Sequence, residues 1–154
     1  MTINEIRFRP IVASDANTIF TMVSDLALDV YQDRLVAQSK VTCKADDLYK
    51  HLSGTIPSFH GIIAEDSDCP LGVSLFFPIF SSWRGKRGIF IQDLYIVPNR
   101  RNEGIGKQLL IQVINHAQKM WGIGYLSLSV HETNILAQGF YNEIGLAWES
   151  EERI

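Results

Sequence analysis

The chain has 154 residues, of which 46% are hydrophobic and 20% are charged, and its formal net charge is -3. This length and composition suit one folded domain over residues 1–154, and they exclude a disordered tail or a low-complexity polymer. Because Lys and Arg are not in excess, we expect no broad contact with nucleic-acid phosphates, and a cationic ligand is favoured.

Several features of the sequence bear on location and on metal binding. Charges interrupt the first nine residues, so we expect no export signal. The longest apolar run, residues 71–80, is far shorter than the roughly 20 residues of a membrane helix, and it predicts a buried strand whose far end is irregular at Pro78. Cys43 and Cys69 are too few for a disulfide framework or a zinc knuckle. The sequence therefore predicts a cytoplasmic protein with reduced thiols, no membrane partner and no metal.

Hydrophobic spacing predicts the elements of the first half of the chain. Alternation with a period of two over residues 5–9 predicts a strand, and apolar residues at helical spacing predict helices over 15–28 and 45–52. Two further apolar runs, residues 59–65 and 71–80, are separated by turn-forming residues and predict an antiparallel hairpin.

The second half of the chain continues the same mixture of elements. The patterns predict a strand over 89–97, a long helix over 104–120, a strand over 126–130 and a short helix over 135–143, before a last segment that begins at Leu146. The order β, α, α, β, β, β, α, β, α indicates an α/β domain with helices packed on a central sheet.

A strand that leads through a short loop into a helix with two early glycines predicts an anion site, because helix N-termini present unpaired N–H groups in a positive field. A Walker A loop is excluded, because Arg101 and Gln108 stand where that motif needs Gly and Ser or Thr. The dinucleotide fingerprint fails at Leu109, its third glycine position. The remaining pattern is Arg-x-x-Gly-x-Gly, which ends with Gly104 and Gly106.

This pattern, preceded by Asp-Leu-Tyr-Ile-Val-Pro, resembles the acetyl-CoA pyrophosphate loop of the GNAT superfamily of N-acetyltransferases. Residues 134–145 resemble the same superfamily's Asn-x-x-Ala-x-x-Phe-Tyr-x-x-x-Gly helix. Residues 81–85 and 91–95 are similar to elements of the spermidine/spermine and thialysine N-acetyltransferases. The resemblance implies the GNAT fold, with a mixed, mostly antiparallel central sheet and helices on both faces.

The resemblance also implies which residues hold acetyl-CoA. The backbone of Leu94, Tyr95 and Ile96 is expected to pair with the pantetheine arm, and Asn134 and Ala137 are expected to lie along the cofactor. The pyrophosphate is expected at Arg101, Asn102, Glu103, Gly104, Ile105, Gly106 and Lys107.

The resemblance places Tyr141 near the sulfur of acetyl-CoA. The acceptor amine must lose a proton before it attacks the thioester, and the departing thiolate is helped by a donated proton. A tyrosine with a pKa near ~10 stays protonated at neutral pH, so Tyr141 is the predicted general acid.

The predicted amine-binding residues are Trp83, Gln92 and Asp93, and they depart from the resembled enzymes at one position. Gln92 stands where those enzymes have Glu, so one carboxylate is missing. Adjacent strand residues point to opposite faces, which indicates that Asp93 cannot simply replace it. Asn102 replaces a usual Gly, a mild change because Asn tolerates left-handed backbone. Three other acids remain open as alternatives: Glu132, Asp29 and Asp33.

Together these observations predict direct transfer of acetyl from acetyl-CoA to a primary amine of a small molecule. The resemblance favours a diamine, a polyamine or a thialysine-like amine, and it implies a homodimer. The chain ends at Ile154, which leaves little room for a closing strand, so that part of the substrate wall is expected to be either reduced or supplied by a partner chain. Two alternatives stay open: acetylation of a protein N-terminus or lysine, and an acetyl-CoA-binding module without turnover.

Overall fold

The computed structural model of the protein describes residues 5–131 and 134–143. In chain order its elements are β1 (Arg7–Pro10), α1 (Ala16–Tyr31), α2 (Arg34–Lys40), α3 (Ala45–Leu52), β2 (His60–Asp66), β3 (Cys69–Ser81), β4 (Lys86–Ile96), α4 (Ile105–Trp121), β5 (Tyr125–Leu128) and α5 (Ile135–Glu143). The last segment predicted from Leu146 lies outside the described residues.

The strands of the described residues form one sheet in the order β1-β2-β3-β4-β5. The first four are antiparallel neighbours, and β5 runs parallel to β4. Helix α4 packs on one face, where Leu109 and Val113 are fully buried against Ile89 and Ile91 of β4. Helix α1 packs against the other face through Ile19. The predicted α/β architecture, a mixed and mostly antiparallel sheet with helices on both faces, is confirmed.

Helix α2 is the one α-helix of the described residues that the hydrophobic spacing did not predict. It begins three residues after the end of α1, and the Asp33 carboxylate caps it by accepting a hydrogen bond from the backbone N–H of Val36 at 2.9 Å. Its seven residues bury only Ala37, so they present no periodic apolar face. In the parts of the chain that are described, no helix is both long enough and apolar enough to cross a membrane.

The predicted irregularity at Pro78 is wrong, because β3 pairs with β4 without interruption from Phe76 to Ser81. Strand β2 pairs with β3 only as far as Phe76, opposite His60. Beyond that point the other side of β3 has no neighbouring strand among the described residues. Pro78 is exposed there, and the absence of its N–H leaves no ladder bond unmade.

Candidate active site

The site lies where β4 and β5 stop pairing. The two strands are paired only from Gly88 to Ile91 of β4 and from Tyr125 to Leu128 of β5. The second half of β4, from Gln92 onward, therefore faces an opening in the sheet as far as the described residues go. Leu94 and Ile96 lie in this part of β4 and line the space beside it. An open strand edge of this kind can take up a ligand that carries its own amide groups.

The loop after β4 has the backbone geometry of an anion site. Gly104 precedes α4 with φ of 83° and Asn102 has φ of 64°, both in the left-handed region that Gly and Asn tolerate best. Gly104 offers no side chain to cap the helix. The first N–H groups of α4 are thus left for another acceptor, in the positive field of a helix that extends to Trp121.

A cleft of about 650 Å³ opens over this loop. Every residue predicted to bind acetyl-CoA lines it, with the exception of Glu103. The Glu103 carboxylate instead accepts a hydrogen bond from Nε of Arg100 at 3.0 Å. Arg100 also donates to Asp66 at the end of β2, at 3.3 Å. Glu103 therefore helps to hold the loop through Arg100.

Arg101 has partners that the sequence pattern could not indicate. Its Nη2 donates to the Asp29 carboxylate of α1 at 2.6 Å, and its Nε donates to the carbonyl of Ile96 at 2.8 Å. Its guanidinium carbon lies 5.4 Å from the centre of the Tyr95 ring. Asp29, an alternative acid in the sequence, is thus a wall residue of the cleft, paired with an arginine of the loop.

A second cavity, of about 280 Å³, adjoins the cleft. The two share five lining residues, which identifies the boundary between them: Leu26, Leu94, Asn134, Ala137 and Tyr141. Helix α1 forms one side of the smaller cavity, and nothing in the local motifs indicated this role. Tyr141, the predicted general acid, lies where a ligand of the cleft and a ligand of the cavity meet.

A β-bulge brings Gln92 and Asp93 into the smaller cavity together. In the pairing of β3 with β4, Leu75 lies opposite Asp93 but Phe76 lies opposite Ile91, so Gln92 is an extra residue. Ile91 and Leu94 both pack against the α4 side of the sheet, which means that the alternation slips by one residue between them. The strict alternation expected from the sequence is wrong here.

The backbone at the bulge is held by a buried side chain of the neighbouring strand. The Ser74 hydroxyl, on β3, donates to the carbonyl oxygen of Asp93 at 3.0 Å. Ser74 has no exposed surface. The backbone of Asp93 is therefore held from inside the sheet.

Burial changes the protonation of the two titratable groups at the junction. It raises the pKa of Asp93 to about 6, because the charged carboxylate loses water. Burial also raises the pKa of Tyr141 to about 12, with a smaller contribution from the negative charge of Asp93. At neutral pH the phenol therefore holds its proton, and the carboxylate can take one up after only a small fall in pH.

The structure places the other predicted residues elsewhere. Trp83 lies in the turn between β3 and β4, is 99% exposed and lines neither cavity. Asp33 caps α2, as described above. Glu132 lies outside the described residues. Among those that are described, no three His, Cys, Asp or Glu side chains are grouped so that they could hold a metal ion.

Comparison with known proteins points to one family. The family model described as "Acetyltransferase (GNAT) family" matches residues 23–146. A thialysine N-epsilon-acetyltransferase of Mus musculus is 29% identical over 147 residues, which cover 90% of this chain and 82% of the relative. An L-ornithine N5-acetyltransferase of Arabidopsis thaliana is 35% identical over 83 residues, covering 54% of this chain and 36% of the relative. A solved GCN5-related N-acetyltransferase from Ralstonia eutropha has a similar fold, with a TM-score of 0.79, 20% identity and 97% of each chain covered.

Proposed function

Because the chain belongs to the GNAT acetyltransferase family and is an N-acetyltransferase, we propose that it transfers acetyl from acetyl-CoA to a primary amine of a small molecule. The observation that carries the proposal is the meeting of the cleft and the smaller cavity at Tyr141. The cleft is the proposed site of the acetyl donor and the cavity is the proposed site of the amine.

Two parts of the cleft suit two parts of acetyl-CoA, the pyrophosphate and the pantetheine arm. The uncapped N–H groups at the start of α4, together with Lys107 and Arg101, offer donors and positive charge for a pyrophosphate. The open edge of β4 offers backbone groups at Leu94 and Ile96 for the amides of the pantetheine arm. These two features support a donor that lies along β4 with its thioester toward Tyr141.

The same geometry supports a direct transfer. The bound ammonium first releases one proton to solvent, and the neutral amine then attacks the thioester carbonyl, so that the new C–N bond forms and the C–S bond breaks. The Asp93 carboxylate takes the proton that the amine loses, and the Tyr141 phenol gives a proton to the departing thiolate. Asp93 thus supplies the base that Gln92 cannot supply.

The class of acceptor is supported by the relatives. Those named for thialysine and L-ornithine act, by their names, on amines of small molecules. A cavity of about 280 Å³ is of the size of small-ligand sites. The diamine, polyamine or thialysine-like acceptor, the homodimer and the cytoplasmic location stay predictions from the resemblance.

The proposal is tested by measuring thiol release from acetyl-CoA by the purified protein. The panel contains diamines, polyamines, ornithine, thialysine, monoamines, aminoglycosides and N-terminal peptides, and calorimetry measures acetyl-CoA binding in parallel. We expect turnover of a small amine. Turnover of the peptides alone, or acetyl-CoA binding without turnover of any compound, would contradict the proposal.

A further inference from the structure

One wall of the smaller cavity is largely apolar. Helix α1 contributes four aliphatic side chains to it, Val23, Leu26, Ala27 and Val30, whose spacing places them on one helical face, and the helix ends there with the aromatic ring of Tyr31. Val41, the residue that ends α2, also lines the cavity. An acceptor bound there lies against methyl and methylene groups on its α1 side.

The opposite wall carries one carboxylate, that of Asp93. Among the described residues that line the cavity there is no second carboxylate and no Lys or Arg. The other polar groups on its walls are amides, hydroxyls and an imidazole, including those of Gln92, Tyr31, Ser129 and His131. The cavity therefore offers one full negative charge to a cationic ligand.

The position of Val30 along α1 determines which surface lies beyond the reacting amine. Leu26 lines both the cleft and the cavity, whereas Val30 lines only the cavity. Val30 is one helical turn further along, about 6 Å from Leu26 along the axis. A second ammonium carried a few carbons from the reacting amine would meet this apolar surface, where an unpaired charge is costly to bury.

We propose that the acceptor is a primary amine on an apolar chain or ring with a single positive charge. The inference rests on the proposed function, because it identifies the smaller cavity as the amine site. At about 280 Å³ the cavity holds roughly nine groups of the size of a water molecule, so the apolar body is small. The single carboxylate binds the amine and the aliphatic wall binds the body, in contrast to the diamine or polyamine that the resemblance favours.

The test compares two amines of the same length, n-hexylamine and 1,5-diaminopentane, which differ in a terminal methyl or ammonium group. We expect kcat/KM for thiol release to be larger for n-hexylamine by roughly tenfold or more. An equal or larger value for 1,5-diaminopentane would overturn the inference while leaving the proposed function intact. Turnover of neither amine, nor of any other amine, would overturn both.

A pair of matched variants tests the placement of the cavity wall. Val30→Asp adds a carboxylate to the apolar wall, and Val30→Asn adds an amide of the same shape without the charge. We expect Val30→Asp to raise kcat/KM for 1,5-diaminopentane relative to n-hexylamine by about tenfold, and Val30→Asn to leave the preference for n-hexylamine. An unchanged preference in a folded Val30→Asp variant would contradict the inference, and the comparison in the unaltered protein does not depend on either variant.

Discussion

The Asp29 carboxylate and the Arg101 guanidinium form an ion pair of 2.6 Å that joins α1 to the loop before α4, across the cleft proposed for acetyl-CoA. Both residues line the cleft. A carboxylate in this place competes with a pyrophosphate for the arginine and repels its negative charge. The ion pair is therefore expected to lower the affinity for the acetyl donor and for the CoA product.

We expect Asp29→Asn to tighten the binding of CoA and acetyl-CoA by about two- to fivefold, since partly exposed ion pairs contribute at most about 1 kcal/mol. Isothermal titration calorimetry at low salt measures the change, and added salt should reduce it. Asp46→Asn is the control, because Asp46 is an exposed acid on α3 that does not line the cleft. Weaker binding by Asp29→Asn would mean that Asp29 serves to hold Arg101 in place.

Removal of the Tyr141 hydroxyl tests the proposed general acid. We expect Tyr141→Phe to lower kcat by about 10²- to 10⁴-fold, with little change in acetyl-CoA affinity, because the phenol acts on the leaving thiolate. Steady-state kinetics measures kcat, and calorimetry measures the affinity for acetyl-CoA. Tyr49→Phe, at an exposed tyrosine of α3, is the control and should behave as the unaltered protein. A kcat within a few-fold of normal in Tyr141→Phe would show that the thiolate leaves without this proton.

Asp93 is expected to favour activity at the expense of stability. Its pKa is raised from 3.8 to about 6 in the folded state, so the folded protein binds this proton more tightly than the unfolded chain does. The stabilisation that results is complete below pH 4 and is lost as the pH rises through about 6. At pH 7.5 the charged Asp93 is therefore destabilising, and Asp93→Asn should raise the free energy of unfolding by up to about 3 kcal/mol.

The same substitution should remove most of the activity, because an amide cannot accept the proton of the amine. In the unaltered protein kcat/KM should fall as the pH drops below about 6, where Asp93 becomes protonated. Urea unfolding at pH 7.5 and at pH 4 measures the stability difference, which should vanish at pH 4. Asp46→Asn, on the surface of α3, is the control. A less stable but fully active Asp93→Asn variant would contradict the assignment.

Two histidines between α4 and the sheet should make the fold sensitive to acid. The His60 ring lies 4.8 Å from Trp121 and 6.2 Å from Phe76, and the His116 ring lies 6.0 Å from Phe76. Burial lowers the pKa of both histidines below the usual 6.5, and the charge of Lys119 also lowers that of His116. The unfolded chain therefore takes up these protons first as the pH falls through 6.5, and stability declines below that pH.

We expect the histidine contribution to the melting temperature to fall between pH 7 and pH 5, against a rise in the contribution of Asp93, and His116→Leu to reduce that fall by a few degrees relative to the unaltered protein, since about 1 kcal/mol corresponds to 2–4 °C in a domain of this size. Differential scanning calorimetry measures the melting temperature of both proteins at pH 7 and at pH 5. His51→Leu is the control, because His51 is exposed. An identical fall in the His116→Leu variant would show that other groups cause the acid sensitivity.

Local patterns in the sequence were enough to predict much of the scaffold. Helix α3 spans the predicted residues 45–52, and α5 spans the predicted 135–143. The loop before α4 was also predictable, because Gly104 and Asn102 take the left-handed backbone that their residue types permit. Such features depend on dihedral preferences and on hydrophobic period, which act over a few neighbouring residues.

The positions of the proposed acid, Tyr141, and of the proposed base, Asp93, followed less directly from the sequence. Tyr141 was identified through a motif, and the structure shows it at the junction of two cavities. Ordinary strand alternation predicts that Asp93 cannot replace Gln92. The bulge that overturns this assumption arises from how β3 pairs with β4, and the sequence of β4 alone carries no signal for it.

The sequence by itself determined the order of most elements, the loop proposed to bind the acetyl donor and the chemical types that line it, since these reside in contiguous segments. Only the tertiary structure decided that Asp29 of α1 pairs with Arg101, that α1 gives the proposed amine cavity a largely apolar wall, and that Asp93 is buried enough for its pKa to rise to about 6. These properties depend on contacts between residues far apart in the chain and on the loss of water when those residues pack together.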